Sequence, residues 1–286
     1  MTVKPDWSSY QKVLQTVSPV TVYGKVNHVV GMTIEACGID AFVGELCDIY
    51  TRGSNRPIKA EVIGFRDDCI VLMLLGDVQG IGPGSRITGL KRKAMVALGE
   101  GMLGRVVDGL GNPIDGKGPF CVEKGSSLYA DPINPLQRGR ITQPLDVGIK
   151  AINSLLTCGK GQRMGIFSGS GVGKSVLLGM IARNTTADVN VIALIGERGR
   201  EVREFIEKDL GEEGLQRSVV IVATSEQSPL LRMKGALVAT TIAEYFRDKG
   251  NDVLFMMDSI TRFAMAQREV GLAANEPPTT KGYTPS

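Results

Sequence analysis

Histidine is almost absent from this 286-residue chain, which holds one, His28. A single histidine cannot build a metal centre by itself, so His28 is read as structural. Aromatic residues make up only 5%. A stacking platform for single-stranded nucleic acid needs several in one place, and Phe42, Tyr50 and Phe65 form no evident cluster. The five cysteines are odd in number and contain no CxxC pair. That speaks against a disulfide framework or a zinc site and for reduced cytosolic thiols. A charge excess is missing too: 33 basic against 30 acidic residues leave +3, too little to steer a nucleic acid or an acidic membrane. No run approaches the roughly 18 apolar residues that a membrane helix needs. The start, MTVKPDWSSYQK, lacks the basic segment and apolar run of a signal peptide. These shortages exclude a secreted, fibrous, disordered or integral membrane protein.

Glycine, by contrast, is plentiful, with 36 residues against a usual share of about 7%, so tight turns and close backbone approaches are expected. The length suggests about two domains. Residues 1–19 stand apart, because Trp7, Tyr10, Leu14 and Val17 recur at helical spacing before Pro19. That stripe either packs on its own domain or docks a partner. Residues 20–94 carry short β-type runs such as VTVYGKVNHVV, KAEVIGF and CIVLMLL between turn residues, the pattern of a small β-barrel or sandwich. The KRK run at 91–93 is read as a solvated turn between domains. From 95 to 286 apolar strands (RMGIFS, VNVIALIG, SVVIVAT, VLFMMD) alternate with helix-length segments, which predicts α/β architecture: a parallel sheet covered by helices. The glycine-rich stretch 104–119 reads as loop and PLDVGIKAINSLL as helix. The Pro-rich end EPPTTKGYTPS is a poor place for such a domain to stop, so the chain is expected to be a fragment.

Three elements carry chemistry. The run Ser168-Gly169-Ser170-Gly171-Val172-Gly173-Lys174-Ser175, with Val176 after it, follows a strand and opens a helix. Backbone N–H groups of such a loop wrap phosphates, helped by the positive end of the helix. Lys174 would neutralise phosphate oxygens and Ser175 would give its hydroxyl to Mg²⁺. Serine stands at 168 where the strict pattern has glycine. Asp258 closes the strand VLFMM, a position suited to holding Mg²⁺ or to capping the next helix. Glu197, in Gly196-Glu197-Arg198-Gly199-Arg200-Glu201, ends the strand VNVIALI at the sheet edge where ligands bind, and is the candidate to orient or deprotonate an attacking water.

Together SGSGVGKS, IGERGREVREFIE, FMMDSITRFAMAQREVG and LGRVVDGLGNPIDG resemble the rotary-type ATPases related to the ATP synthase catalytic subunit. Within them the chain looks like the flagellar and type III protein-export ATPases. GERGREV differs from the GERTREG of synthase catalytic subunits, and NPLQRGRI at 134–141 points to the flagellar member. The resemblance implies an N-terminal β-barrel, a RecA-like P-loop domain that is incomplete here, and a C-terminal helical domain beyond residue 286. It implies ATP with Mg²⁺ as ligands, a homo-hexamer with ATP between neighbours, and a regulatory or stator protein bound through residues 1–19. Export-gate components, chaperones and export substrates are the further partners; nucleic acid is not expected. The place implied is the cytoplasmic side of a membrane-bound export apparatus, with peripheral attachment. Lys174, Ser175, Glu197 and Asp258 match the P-loop lysine, the Mg²⁺ ligand, the water-polarising glutamate and the Walker B aspartate. Arg198 and Glu201 match residues around that water, and Arg262 an arginine near the nucleotide. The family's arginine finger and adenine-stacking aromatic lie past residue 286, and such a finger is worth about 10³–10⁵ in rate. The polypeptide is therefore expected to bind nucleotide better than it hydrolyses it.

The alternatives are a synthase catalytic subunit, disfavoured by GERGREV, and a non-catalytic nucleotide-binding ring subunit, disfavoured by glutamate at 197. A hexameric RNA helicase, which would need RNA-stacking aromatics in the β-domain, is the last.

Overall fold

The computed structural model describes residues 7–16, 22–51, 56–76, 79–169 and 171–286. Chain contacts divide it into two compact units, Met1–Arg92 and Lys93–Ser286. Of the expected N-terminal stripe, Val17 lies outside the described residues. Helix α1 (Trp7–Thr16) carries Trp7, Tyr10 and Leu14 well exposed, at 69%, 61% and 75%.

The first unit is a closed antiparallel barrel. Its strands are β1 (Gly24–Val30), β2 (Thr33–Cys37), β3 (Glu45–Tyr50), β4 (Ile58–Arg66), β5 (Cys69–Leu74) and β6 (Arg86–Lys93). They run in the order β1-β2-β5-β4-β3-β6, and β1 closes on β6 through Gly24–Ile87 and Lys25–Arg86. Alternation decides the inside: Ile34 and Ala36 on β2 and Ile70, Leu72 and Leu74 on β5 share the buried core. Closure leaves no unpaired edge. Residues 91–93 complete β6 and are not a free turn, because the Lys91 N–H donates to the buried Glu45 carboxylate at 2.9 Å.

The reading of all five cysteines as reduced thiols is corrected here: Cys37 and Cys69 form a disulfide. They are direct register partners on β2 and β5 with Cα atoms 4.4 Å apart, within the window that a disulfide spans. An odd count guarantees only one unpaired thiol; Cys47, Cys121 and Cys158 are free.

In the second unit, β7 (Met95–Leu98) pairs antiparallel with β9 (Lys124–Ser127). Between them lies β8 (Arg105–Asp108), inside the stretch expected to be loop. It becomes an edge strand because β13 (Ser218–Ala223) offers it a parallel partner and because the Arg105–Asp115 ion pair ties the following turn back onto it. The helix expected over PLDVGIKAINSLL is confined to α2 (Lys150–Leu155), since Gly148 sits at φ +72° and breaks the run. Before it, β10 (Pro144–Leu145) pairs with β11 (Cys158–Gly159).

The α/β core follows: α3 (Lys174–Asn184), β12 (Val189–Ile195), α4 (Gly199–Glu204), a π-helical turn (Phe205–Leu210), α5 (Gly211–Gln216), β13, α6 (Pro229–Asp248), β14 (Val253–Asp258) and α7 (Ile260–Ala273). Strands β14-β12-β13-β8 form one parallel sheet. Ile192, Leu194, Val220 and Val222 turn one face to Leu178, Ile181 and Ala182 of α3 and to Phe205 and Leu210. The other face meets α6, where Gly235 lies so close to Ala223 and Ile195 that a Cβ would stand 3.0 and 3.1 Å from them. Helices thus cover both faces, as the alternation predicted.

One expected strand is absent. RMGIFS, before the glycine-rich run 168–175, forms no strand, and Phe167 is 94% exposed. A β-prone run becomes a strand only where a neighbour takes its hydrogen bonds, and the four-stranded sheet ends at β14 without pairing to 163–168.

Candidate active site

Parallel pairing places the charged residues together. Register aligns Leu194 with Asp258, so β12 and β14 end side by side at the carboxyl edge of the sheet. Gly196, at φ +74°, turns the chain out of β12. Its N–H donates to the Ala223 carbonyl at 2.6 Å, and the Glu197 carbonyl accepts from Ser225 N–H at 3.0 Å. Glu197 is thereby held at the edge by β13's end as well as by its own strand.

The glycine-rich run leads into α3 through Gly171 at φ +77° and Gly173 at φ +89°, conformations that side-chain-bearing residues resist. Ser170 lies outside the described residues; Ser168, Gly169, Val172 and Val176 are exposed. The Lys174 ammonium forms an ion pair with Asp258. Asp258 is 4% exposed, and an unpaired carboxylate so deep would be costly, so this partner matters. The cap of α7 is Ser259, whose hydroxyl accepts from Arg262 N–H. Asp258 is therefore left for other work than helix capping.

Ser175, Glu197, Glu201 and Asp258 line one small cavity of about 20 Å³ together with Leu194, Val202 and Phe205. Burial pushes the Glu197 carboxyl up to about 7; the hydrogen bond with Glu201 and the charge of Asp258 push the same way, and Lys174 pulls it partly back. A carboxyl held near neutrality can take a proton at working pH. Arg198 pairs with Glu201 at 3.7 Å on the exposed side. Arg262 packs its stem across Gly196, where a Cβ would come within 2.7 Å of the Arg262 Cβ, so glycine at 196 is what lets it lie against the end of β12.

The structure thus brings Lys174, Ser175, Glu197, Glu201 and Asp258 together, with Arg198 and Arg262 at the rim. Sequence reading missed Leu194, Val202 and Phe205. The only signal of Val202 and Phe205 is helical spacing, since with Glu201 they fall at i, i+1 and i+4, and Leu194 lies inside the apolar strand β12, so all three read as core. The described residues hold no group of three or more His, Cys, Asp or Glu able to enclose a metal. The Ser175–Asp258 pair fits Mg²⁺, a hard cation commonly bound by one or two oxygen ligands together with substrate phosphates and water. No described helix is long and apolar enough to cross a membrane.

Comparison with known proteins agrees with both units. Residues 26–91 match the β-barrel domain of the ATP synthase alpha/beta family, and residues 148–286 match its nucleotide-binding domain. A flagellum-specific ATP synthase of Bacillus subtilis is 58% identical over 92% of this chain and 60% of its own length. A type 3 secretion system ATPase of Xanthomonas euvesicatoria is 49% identical over 98% of this chain and 63% of its own. Among solved structures, the assembled ATPase EscN in complex with its central stalk EscO, from the enteropathogenic E. coli type III secretion system, superposes with a TM-score of 0.84. It is 45% identical and covers 92% of this chain and 64% of its own. The chain spans about 60% of the length of the curated relatives it matches. With both domain profiles matched in order and relatives near half-identical along the chain, it belongs to the ATP synthase alpha/beta family and is similar within it to the flagellar and type 3 secretion ATPases.

Proposed function

We propose that this chain binds ATP with Mg²⁺ and hydrolyses it as part of a flagellar or type III protein-export ATPase. The observation that carries the reading is the convergence of Lys174, Ser175, Glu197 and Asp258 on one sheet edge, three of them on a single small cavity. In this reading the backbone of the glycine-rich loop and the N-terminus of α3 receive the phosphates. Lys174 moves from Asp258 to the phosphate oxygens. Ser175 and Asp258 would hold Mg²⁺, which supplies neutralisation of the charge that develops on those oxygens. Glu197 accepts the proton of a water whose oxygen forms the new bond to the γ-phosphorus, while the bond from that phosphorus to the bridging oxygen breaks and ADP leaves. Glu201 and Arg198 orient Glu197, and Arg262 lies where it would meet the nucleotide.

The assembly belongs to the same proposal: a homo-hexameric ring with ATP between neighbours, placed at the cytoplasmic side of a membrane export apparatus. A regulatory or stator protein would dock at residues 1–19, a role supported by the exposed Trp7, Tyr10 and Leu14. Export-gate components, chaperones and export substrates complete the partner set. The test is steady-state MgATP hydrolysis across a series of protein concentrations, with the chain extended to the full length of its relatives and Glu197→Gln in parallel. Specific activity that climbs with concentration and disappears in the variant supports the reading. Turnover unchanged by the substitution removes Glu197 from its role and leaves a nucleotide-binding regulator.

A further inference from the structure

Part of the cavity's apolar lining is built by a feature that phosphate binding does not require. Helix α4 does not continue as an α-helix; at Phe205 it widens into a π-helical turn, Phe205–Leu210. Such turns are rare and recur at functional sites. This one is pressed onto the helix that follows the phosphate-binding loop: a Cβ on Gly179 of α3 would stand 2.5 Å from the Asp209 carbonyl oxygen. Phe205, 4% exposed, points from the first residue of that turn into the space lined by Ser175, Glu197, Glu201 and Asp258. The cavity measures about 20 Å³, and one water needs about 10–15 Å³ on this scale together with two to four polar partners. The Glu197 and Glu201 carboxylates supply two such partners beside the Ser175 and Asp258 oxygens that would hold Mg²⁺, and Phe205, Val202 and Leu194 form the apolar part of the lining.

We propose that Phe205 is a positioning residue that limits the space beside Glu197 to a single water and so fixes the direction from which that water can act. The inference rests on Glu197 being the group that activates water. Substrate phosphates are recognised elsewhere, by the glycine-rich loop and Lys174. Phe205 therefore acts on the chemical step and leaves binding alone. In a reaction whose partners must meet in line, an error of about 1 Å costs up to about 100-fold in rate.

The experiment is MgATP hydrolysis by the full chain in single-turnover and steady-state form. Rates are normalised to sites titrated with a fluorescent ATP analogue, so that unfolded protein does not count. Phe205→Ala, Phe205→Leu, Glu197→Gln and the unmodified chain are compared. Phe205→Ala is expected to lower kcat by about 10- to 100-fold with KM and analogue affinity unchanged, and Phe205→Leu to recover most of that loss. If Phe205→Ala does not fold, Phe205→Leu and Val202→Ala carry the test through smaller falls in kcat at constant KM. A Phe205→Ala (or, where it does not fold, a Val202→Ala) that keeps the unmodified kcat per titrated site, or that moves KM and kcat together, overturns the inference. Because Glu197→Gln runs alongside, the two failures separate. A fully active Glu197→Gln sinks the proposed function itself, whereas an inactive Glu197→Gln beside a fully active Phe205→Ala sinks only the role of Phe205.

Discussion

Removing the Asp115 carboxylate leaves a guanidinium buried without its counter-charge. Arg105 Nε and Nη2 donate to the two Asp115 oxygens at 2.6 and 2.8 Å, and Nη2 also reaches the Gly118 carbonyl. The side chains are only 10% and 8% exposed, so the 0–1 kcal/mol typical of surface pairs is the wrong scale. Breaking a buried pair costs about 3–5 kcal/mol; because β8 is the edge strand of the sheet, where water can partly solvate the orphan, the lower end applies. With about 2–4 °C of Tm per kcal/mol for a domain of this size, Asp115→Ala should melt roughly 6–12 °C below the unmodified protein in differential scanning calorimetry. Arg105→Met with Asp115→Leu should recover most of the loss, since the cost lies in the stranded charge. The pH dependence has a definite sign. Arg105 and the Val106 and Lys117 N–H groups hold the Asp115 carboxyl well below the usual carboxylate range. A depressed carboxyl gives stability that is present above its unfolded value of about 4 and fades as pH falls below it. The Tm gap should therefore stay constant above about pH 5 and narrow in stronger acid. A variant melting within about 2 °C of the unmodified protein, well under the shift this scale demands, would falsify the assignment.

Four further outcomes are expected. With Glu197 pushed up to about 7 and needed as a base, kcat/KM should fall about tenfold per pH unit in acid below that value, and the residual activity of Glu197→Gln should be flat there. Asp258→Asn should weaken the Mg²⁺ dependence of ATP affinity in titration calorimetry, because it removes the carboxylate that would hold the cation; unchanged Mg²⁺ dependence counts against Asp258 as a ligand. Gly179→Ala should clash with the Asp209 backbone at a cost of about 1–3 kcal/mol against a helix-propensity gain of about 1 kcal/mol, a net loss of up to about 2 kcal/mol; a raised Tm would contradict the close approach. Alkylation of the denatured, unreduced protein should label three cysteines, Cys47, Cys121 and Cys158, and five after reduction; five before reduction would show that Cys37 and Cys69 are not bonded.

What could be read from the sequence was what chemistry ties to residue type at fixed spacing. Lys174, Ser175, Glu197 and Asp258 stand at strand ends or at the first turn of a helix, and the apolar runs of β12 and β14 mark those ends. What could not be read depends on neighbours distant in the chain. The run at 163–168 has strand composition, yet no neighbour takes its hydrogen bonds. Arg105–Asp108 has loop-like surroundings, yet β13 recruits it. Cys37 and Cys69 are 32 residues apart, and only the barrel register makes them partners. Phe205 sat in plain view inside IGERGREVREFIE, but nothing in its spacing separates a residue that fills a core from one that walls a reaction space.

The ion pair between Lys174 and Asp258 gives a reason for the two motifs to be read together. Each is dear to bury alone: Asp258 is 4% exposed and the Lys174 side chain 30%. Held together, they satisfy each other at the mouth of the site. An anion that draws Lys174 away strands the Asp258 charge unless a cation arrives with it. The pair therefore favours a phosphate ligand that brings its own divalent cation over one that comes without, and it ties selection of the metal complex to the residues that would later perform the hydrolysis.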